Sequence, residues 1–251
     1  MNPSPHPDWI IPDWPAPAHV RACMTTRAGG VSRGPWAGLN LGLRCEDDPA
    51  AVAENRARLE RCLPQPPKWL AQVHGSTVVD ADTLGDVPQA DASVARQPGT
   101  VCAIQVADCL PVQFTDDAGS CVAAAHAGWR GLAGGVLAHT VARMGVAPGK
   151  LLAWIGPGIG PSAFEVGDDV LQAFCAIHPD NRAAFRPLRE GKWLCDLPDL
   201  ARRALQRSGV TRVFGGGWCT HSDPQRFYSY RRDRITGRMA AVIWKAVRSD
   251  E

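Results

Sequence analysis

Apolar residues recur along this chain in two rhythms, and each predicts a different kind of element. Short runs rich in Val, Ile, Leu and Ala predict strands over 20–26, 68–73, 77–80, 101–106, 121–125, 151–155, 211–214 and 239–244. Apolar positions three and four apart predict helices over 50–63, 131–144, 166–177 and 197–207. Asp48-Pro49 supplies a cap and a first helical residue for the earliest of these, Pro64 stops it, and the last begins near Asp196. Strands outnumber helices and do not alternate with them regularly. That predicts an α+β fold, mixed β-sheets flanked by helices, in a single domain over 1–251. Residues 1–17, rich in Pro and Trp, read as an irregular arm across its surface.

Candidate chemistry gathers around one predicted strand pair. Asp108-Cys109-Leu110-Pro111-Val112-Gln113-Phe114-Thr115 precedes Asp116-Asp117-Ala118-Gly119, a turn signal, and Ser120-Cys121-Val122-Ala123-Ala124-Ala125-His126 follows it. A two-residue hairpin centred on Asp117 and Ala118 places Cys109 opposite His126. Opposed side chains share a face with Cβ atoms about 4.5–5.5 Å apart, close enough to bind one metal ion. The inference depends on register: a bulge at Gly119 shifts it by one and sends the two side chains to opposite faces, and Pro111 interrupts a regular ladder. His74, in the tight Val73-His74-Gly75 loop, is the best-placed further histidine. Two imidazoles and one thiolate, with the fourth tetrahedral position open, are a catalytic zinc set. Structural zinc takes four protein ligands, usually with a Cys-x-x-Cys pair, and this chain has none. Spacing alone leaves a plainer reading open, in which the histidines only hydrogen-bond and Cys109 is a small buried apolar residue.

Composition narrows the setting. Nine cysteines is an odd number on a long chain, so they do not read as a disulfide framework, and reduced thiols fit better. The first residues have neither the charged start nor the apolar run of a signal peptide, and no stretch approaches the ~20 apolar residues that span a bilayer. A net charge of +2, from 27 Lys+Arg against 25 Asp+Glu, gives no reason to expect a nucleic-acid partner. The expectation is a cytoplasmic protein with no membrane and no nucleic-acid partner.

Seven segments together resemble the YfiH-type, laccase-domain family. They are Thr26-Arg27-Ala28-Gly29-Gly30-Val31-Ser32, Leu39-Asn40-Leu41-Gly42, Gln72-Val73-His74-Gly75, Ala107-Asp108-Cys109-Leu110-Pro111-Val112, His126-Ala127-Gly128-Trp129-Arg130-Gly131, Gly156-Pro157-Gly158-Ile159-Gly160-Pro161 and Phe227-Tyr228-Ser229-Tyr230-Arg231-Arg232-Asp233. The match runs in order over nearly the whole chain. It implies that His74, Cys109 and His126 are the metal ligands, with Cys109 and His126 at the catalytic centre. It implies zinc, or the copper of members called polyphenol oxidases or laccases. It also implies a cytoplasmic purine nucleoside enzyme: phosphorolysis of adenosine, inosine and methylthioadenosine, and deamination of adenosine, with nucleoside and phosphate as partners. Some bacterial members are linked to editing of peptidoglycan precursors, which adds a peptidoglycan nucleotide precursor as a candidate partner. The implied fold is similar to that of deamidating toxins that use a Cys–His pair.

Arg27 beside Gly29 and Gly30 reads as a phosphate clamp, a guanidinium next to backbone donors, or as a surface arginine in a strand-exit loop. Asn40 hydrogen-bonds substrate or caps its own turn. Arg130 reaches the pocket or makes a structural salt bridge. Gly156 to Pro161 fails the dinucleotide fingerprint and reads as a rigid loop bounding the pocket. Arg231-Arg232-Asp233-Arg234 reads as a solvated, self-paired cluster, Tyr228 and Tyr230 as packing residues, and Cys219 with His221 as a metal pair lacking a third ligand. Three activities compete. A nucleoside enzyme lacks the usual zinc-deaminase signature, His-x-Glu with Pro-Cys-x-x-Cys, so no general base is assigned. An amide hydrolase would use Cys109 as nucleophile and His126 as base, without metal. A copper oxidase would want multi-histidine clusters that the chain lacks.

Overall fold

A computed structural model describes residues 6–247. In chain order the first half carries β1 (Val20–Met24), α1 (Pro49–Glu60), β2 (Val78–Asp80), β3 (Ala92–Ala95), β4 (Cys102–Val106), β5 (Leu110–Asp116) and β6 (Val122–Ala127). Then come α2 (Trp129–Ala133), α3 (Val136–Met144), β7 (Leu151–Ile155), β8 (Glu165–Gly167), α4 (Asp168–Ile177), β9 (Phe185–Arg189), β10 (Lys192–Cys195), α5 (Leu197–Arg207), β11 (Arg212–Gly215), α6 (Tyr230–Asp233) and β12 (Met239–Lys245).

The strands form three sheets, ordered β1-β12-β4, β8-β10-β9 and β11-β7-β5-β6-β3-β2. The six-stranded sheet is mixed, because β11 joins β7 and β2 joins β3 in parallel while its inner strands run antiparallel. Both its faces are covered, so β5 and β6 are buried at every position and read as continuous apolar runs. One face packs Val112, Phe114, Ala123 and Ala125 under α3, α4 and α5. The other packs Val122, Ala124 and Trp154 on Met24, Ile104, Met239 and Ala241 of the β1-β12-β4 sheet. That sheet's outer face is covered by Leu39, Leu41 and Leu59. This is the α+β arrangement of mixed sheets and helices. The arm, from residue 6 on, is irregular apart from a bridge between Ile10 and Met24.

Four expectations need correction, each for a local reason. First, the β5–β6 register pairs Leu110 with Ala127 and Pro111 with His126, so Cys109 does not face His126 across the ladder. The connection is longer than two residues. The Asp116 carboxylate accepts from the Cys121 N–H and the Ser120 hydroxyl, and Gly119 takes the left-handed φ of 62° that closes the wider turn. Second, 68–73 is not a strand beyond a bridge from Lys68 to Cys102. Gln72 instead lays its side-chain amide on the Gln105 backbone, donating to its carbonyl and accepting from its N–H, both at 2.8 Å. Third, the helix expected over 131–144 is two, broken at Gly134-Gly135, where Gly135 has φ 86°. Fourth, 166–177 opens as strand β8 before α4 begins at Asp168.

Candidate metal centre and its cavity

His74, Cys109 and His126 come together, with one ligand atom from each lying within 4.8 Å of the others. The two imidazoles meet edge to face, ring centroids 4.8 Å apart. His126 projects from β6 and is buried, Cys109 is half-buried, and His74 is exposed at the rim. Three devices place them. His126 is held by the ladder of β6. Cys109 sits at the mouth of β5 after Asp108, whose positive φ of 93° is unusual for a residue with a side chain. The Asp108 carboxylate holds that bend, accepting from the Thr220 hydroxyl and the Arg231 N–H, both at 2.6 Å. His74 also has a left-handed φ, 61°.

Behind both histidines lies Asp91, fully buried. Its Oδ1 accepts from His126 Nδ1 at 2.8 Å and from the His74 N–H at 3.0 Å. Its Oδ2 accepts from the Gly75 N–H at 2.7 Å and the Val73 N–H at 3.2 Å. Packing is close. A Cβ on Gly128 would lie 2.8 Å from Cys109 Sγ and 3.1 Å from a His74 ring carbon, and one on Gly131 would lie 2.6 Å from the Gly75 carbonyl oxygen.

Burial opposes charge on both partners of the Cys109–His126 pair, but the pair outweighs it. Burial would raise the Cys109 pKa; the charge of His126 and hydrogen bonds from both histidines bring it down to about 6. Burial would lower that of His126; the Cys109 thiolate and Asp91 carboxylate raise it to about 9. A soft thiolate and two imidazoles, converging from three segments on one point with an open side, fit a zinc-like ion. Among the described residues this is the single such cluster. Cys219 instead accepts hydrogen bonds from the Gly160 N–H and the Ser222 hydroxyl.

The open side faces a cavity of about 680 Å³. Arg130 lines it, lying over the ring of Trp129 at 4.4 Å. Arg27 and Asn40 do not. The Arg27 guanidinium donates to the Ala37 and Pro224 carbonyls and covers the Tyr228 ring, stapling two loops together away from the cavity. Asn40 is fully buried; its Oδ1 accepts from the Gly42 and Arg238 N–H groups, and its amide donates to Asp47. Asn40 thus caps its own turn and acts on the cavity only through Gly42 and Arg238.

The sequence reading missed four other lining arginines, Arg44, Arg56, Arg231 and Arg238. None of these, nor Arg130, is ion-paired to a carboxylate among the described residues. The expected self-paired cluster therefore divides. Arg232 pairs with Asp233, whereas Arg231 turns to the cavity, donating to the Glu165 carbonyl and lying over Phe164. Tyr228 packs, fully buried, while Tyr230 stands half exposed on the cavity wall, which Trp69 and Ile159 also line.

The family described as multi-copper polyphenol oxidoreductase laccase matches residues 21–246. A Pseudomonas aeruginosa protein named purine nucleoside phosphorylase is 56% identical over 237 residues, covering 94% of this chain and 98% of its own length. Escherichia coli purine nucleoside phosphorylase YfiH is 51% identical over 242 residues, with 94% and 98% covered. The crystal structure of Neisseria meningitidis protein NMB0706 superposes with a TM-score of 0.94 at 50% identity, covering 96% of this chain and all of that one.

Proposed function

We propose that this chain, which belongs to the multi-copper polyphenol oxidoreductase laccase family of YfiH-type proteins, is a zinc-dependent purine nucleoside phosphorylase. One observation carries the reading: the His74–Cys109–His126 cluster opens on a cavity whose wall combines aromatic faces with five arginines that make no ion pair among the described residues. About 680 Å³ accommodates a nucleoside with phosphate beside it. Trp129, Phe164, Trp69 and Tyr230 offer flat surfaces to a purine. The guanidiniums bind phosphate through charge-assisted, paired hydrogen bonds. Held there, a phosphate oxygen attacks the ribose C1′ as its bond to the purine breaks. The base leaves with the electron pair and gains a proton in balance with the one that hydrogen phosphate gives up as the ester forms, giving ribose 1-phosphate. When bound, zinc supplies a Lewis acid at the end of this cavity. Asp91 and Asp108 keep the reacting wall rigid by holding His74, His126 and the Cys109 bend.

Adenosine, inosine and methylthioadenosine all present a purine and a ribose to the same surfaces. Adenosine deamination is a second reaction of the same site in this proposal. The test is product identity with phosphate varied: adenine plus ribose 1-phosphate supports phosphorolysis, and inosine plus ammonia independent of phosphate supports deamination. Neither product from zinc-loaded protein would sink the nucleoside reading. The family's copper description fits less well, because one His–Cys–His cluster offers no multi-histidine array.

A second reading rests on its own observation. Cys109, His126 and Asp91 stand in the order nucleophile, base and orienting acid, with the thiol pKa held down and the imidazole pKa held up. That suits an amide hydrolase. His74→Ala separates the two: it should abolish zinc binding and phosphorolysis together, whereas a Cys109 nucleophile would survive it and yield a covalent adduct detectable by mass spectrometry.

A further inference from the structure

We infer that Asp91 is the positioning residue of the metal centre, a single carboxylate that sets the ligating nitrogen of His126 and the backbone turn of His74 at once. The inference rests on the metal reading of the His74–Cys109–His126 cluster and assigns a role outside it. Four N–H donors converge on the two oxygens of Asp91, two on each. The carboxylate is fully buried. As an acceptor it keeps a proton of His126 on Nδ1, so that Nε2, turned toward Cys109 and His74, is the nitrogen that ligates once its own proton is lost. Through the N–H groups of Val73, His74 and Gly75 it also closes the turn in which His74 adopts φ 61°. Asp91 precedes β3, and its carbonyl accepts the His126 N–H at 2.7 Å, so the backbone link and the side-chain link join the same two residues.

The geometry makes Asp91→Asn informative. An amide has one accepting oxygen and one NH₂, and the NH₂ must face a pair of donors. If it faces Val73 and Gly75, the His74 turn opens. If it faces His74 and His126, the His126 proton moves to Nε2 and removes that ligand. Either way the cluster loses one histidine, and zinc affinity should fall roughly 10- to 100-fold, the range for orienting partners of metal-bound histidines.

The experiment measures zinc affinity by competition with a chromophoric chelator, at a temperature where circular dichroism shows the variant folded. A long-range ¹H–¹⁵N spectrum of the zinc-loaded protein reports the histidine nitrogens. Wild-type protein should show His126 protonated at Nδ1 and ligating through Nε2, and Asp91→Asn should show the affinity loss. A folded Asp91→Asn variant that binds zinc within about threefold of wild type would overturn the assignment. So would a wild-type spectrum with His126 ligating through Nδ1, a result that needs no variant to fold. The failure of the metal reading itself looks different: wild-type protein would then show no zinc binding at all.

Discussion

On the zinc reading proposed above, metal uptake at this site competes with protons, and the local charges set by how much. In the metal-free protein His126 is held at a pKa of about 9 by the Cys109 thiolate and Asp91, against the opposing effect of burial, and Cys109 is held at about 6. At pH 7 the pair is therefore thiolate and imidazolium. Cys109 is already in its ligating form, but His126 must give up a proton that it binds two pH units more tightly than the solvent demands. That costs a factor of about 100 in apparent affinity, about 3 kcal/mol. The sign follows: a raised imidazole pKa makes the proton the stronger competitor, so affinity should climb about tenfold per pH unit from 7 toward 9 and flatten above 9. Chelator-competition titrations across that range give the slope. Calorimetry at pH 7.5 in buffers of different ionisation enthalpy gives the protons released, expected to be about one. A flat affinity between pH 7 and 9, or no proton released, would refute the thiolate–imidazolium description of the metal-free site.

Gly128→Ala should strip the metal while leaving the fold intact, because φ −66° suits alanine but the new Cβ lies 2.8 Å from Cys109 Sγ; elemental analysis should fall from about one zinc per chain with an unchanged circular dichroism spectrum. Arg130→Ala should raise the KM for phosphate roughly 10- to 100-fold, the loss of a charged hydrogen bond, in initial-rate measurements with phosphate varied. Arg27→Ala should lower the melting temperature and leave that KM within about twofold, since its guanidinium staples loops outside the cavity. Asp116→Ala removes the buried acceptor for Cys121 and Ser120 at the β5–β6 turn, and urea unfolding should show a loss of about 1–3 kcal/mol.

Elements were legible in the sequence where local chemistry marks them. Asp48 and Asp196 cap α1 and α5 with their side chains, and β12 is apolar from Met239 to Trp244. The elements that escaped carry no such mark. β9 is Phe-Arg-Pro-Leu-Arg, mostly exposed, and β3 is Ala-Ser-Val-Ala, buried at every position but built largely from weak strand formers. The candidate ligands were legible because each adjoins a distinctive local motif, the tight Val73-His74-Gly75 loop, the Asp108-Cys109 bend and the small-residue turn after His126. The arginine wall was not, because Arg44, Arg56, Arg231 and Arg238 come from distant segments and meet only in the fold. Arg27 misled for the complementary reason: a guanidinium beside glycines describes a phosphate clamp and a loop staple equally well until its partners are known. Asp91 left one faint signal, a lone carboxylate in the run from Ala90 to Ala95.

The misplaced hairpin register did not misplace the site, and the reason is parity. Strand side chains alternate with period two, so widening the turn from two residues to four shifts the pairing by two and returns every side chain to its own face. A one-residue bulge would have sent His126 to the face that packs under α3, α4 and α5. Asp116 prevents it, because its two oxygens bind the Cys121 N–H and the Ser120 hydroxyl and fix the even-numbered turn. The open centre thus depends on one carboxylate bound at each end of β6. Asp116 sets which face His126 occupies, and Asp91 sets which nitrogen it presents there. Both sets of hydrogen bonds run between groups of the protein, so the sheet itself fixes the face and the nitrogen that His126 presents.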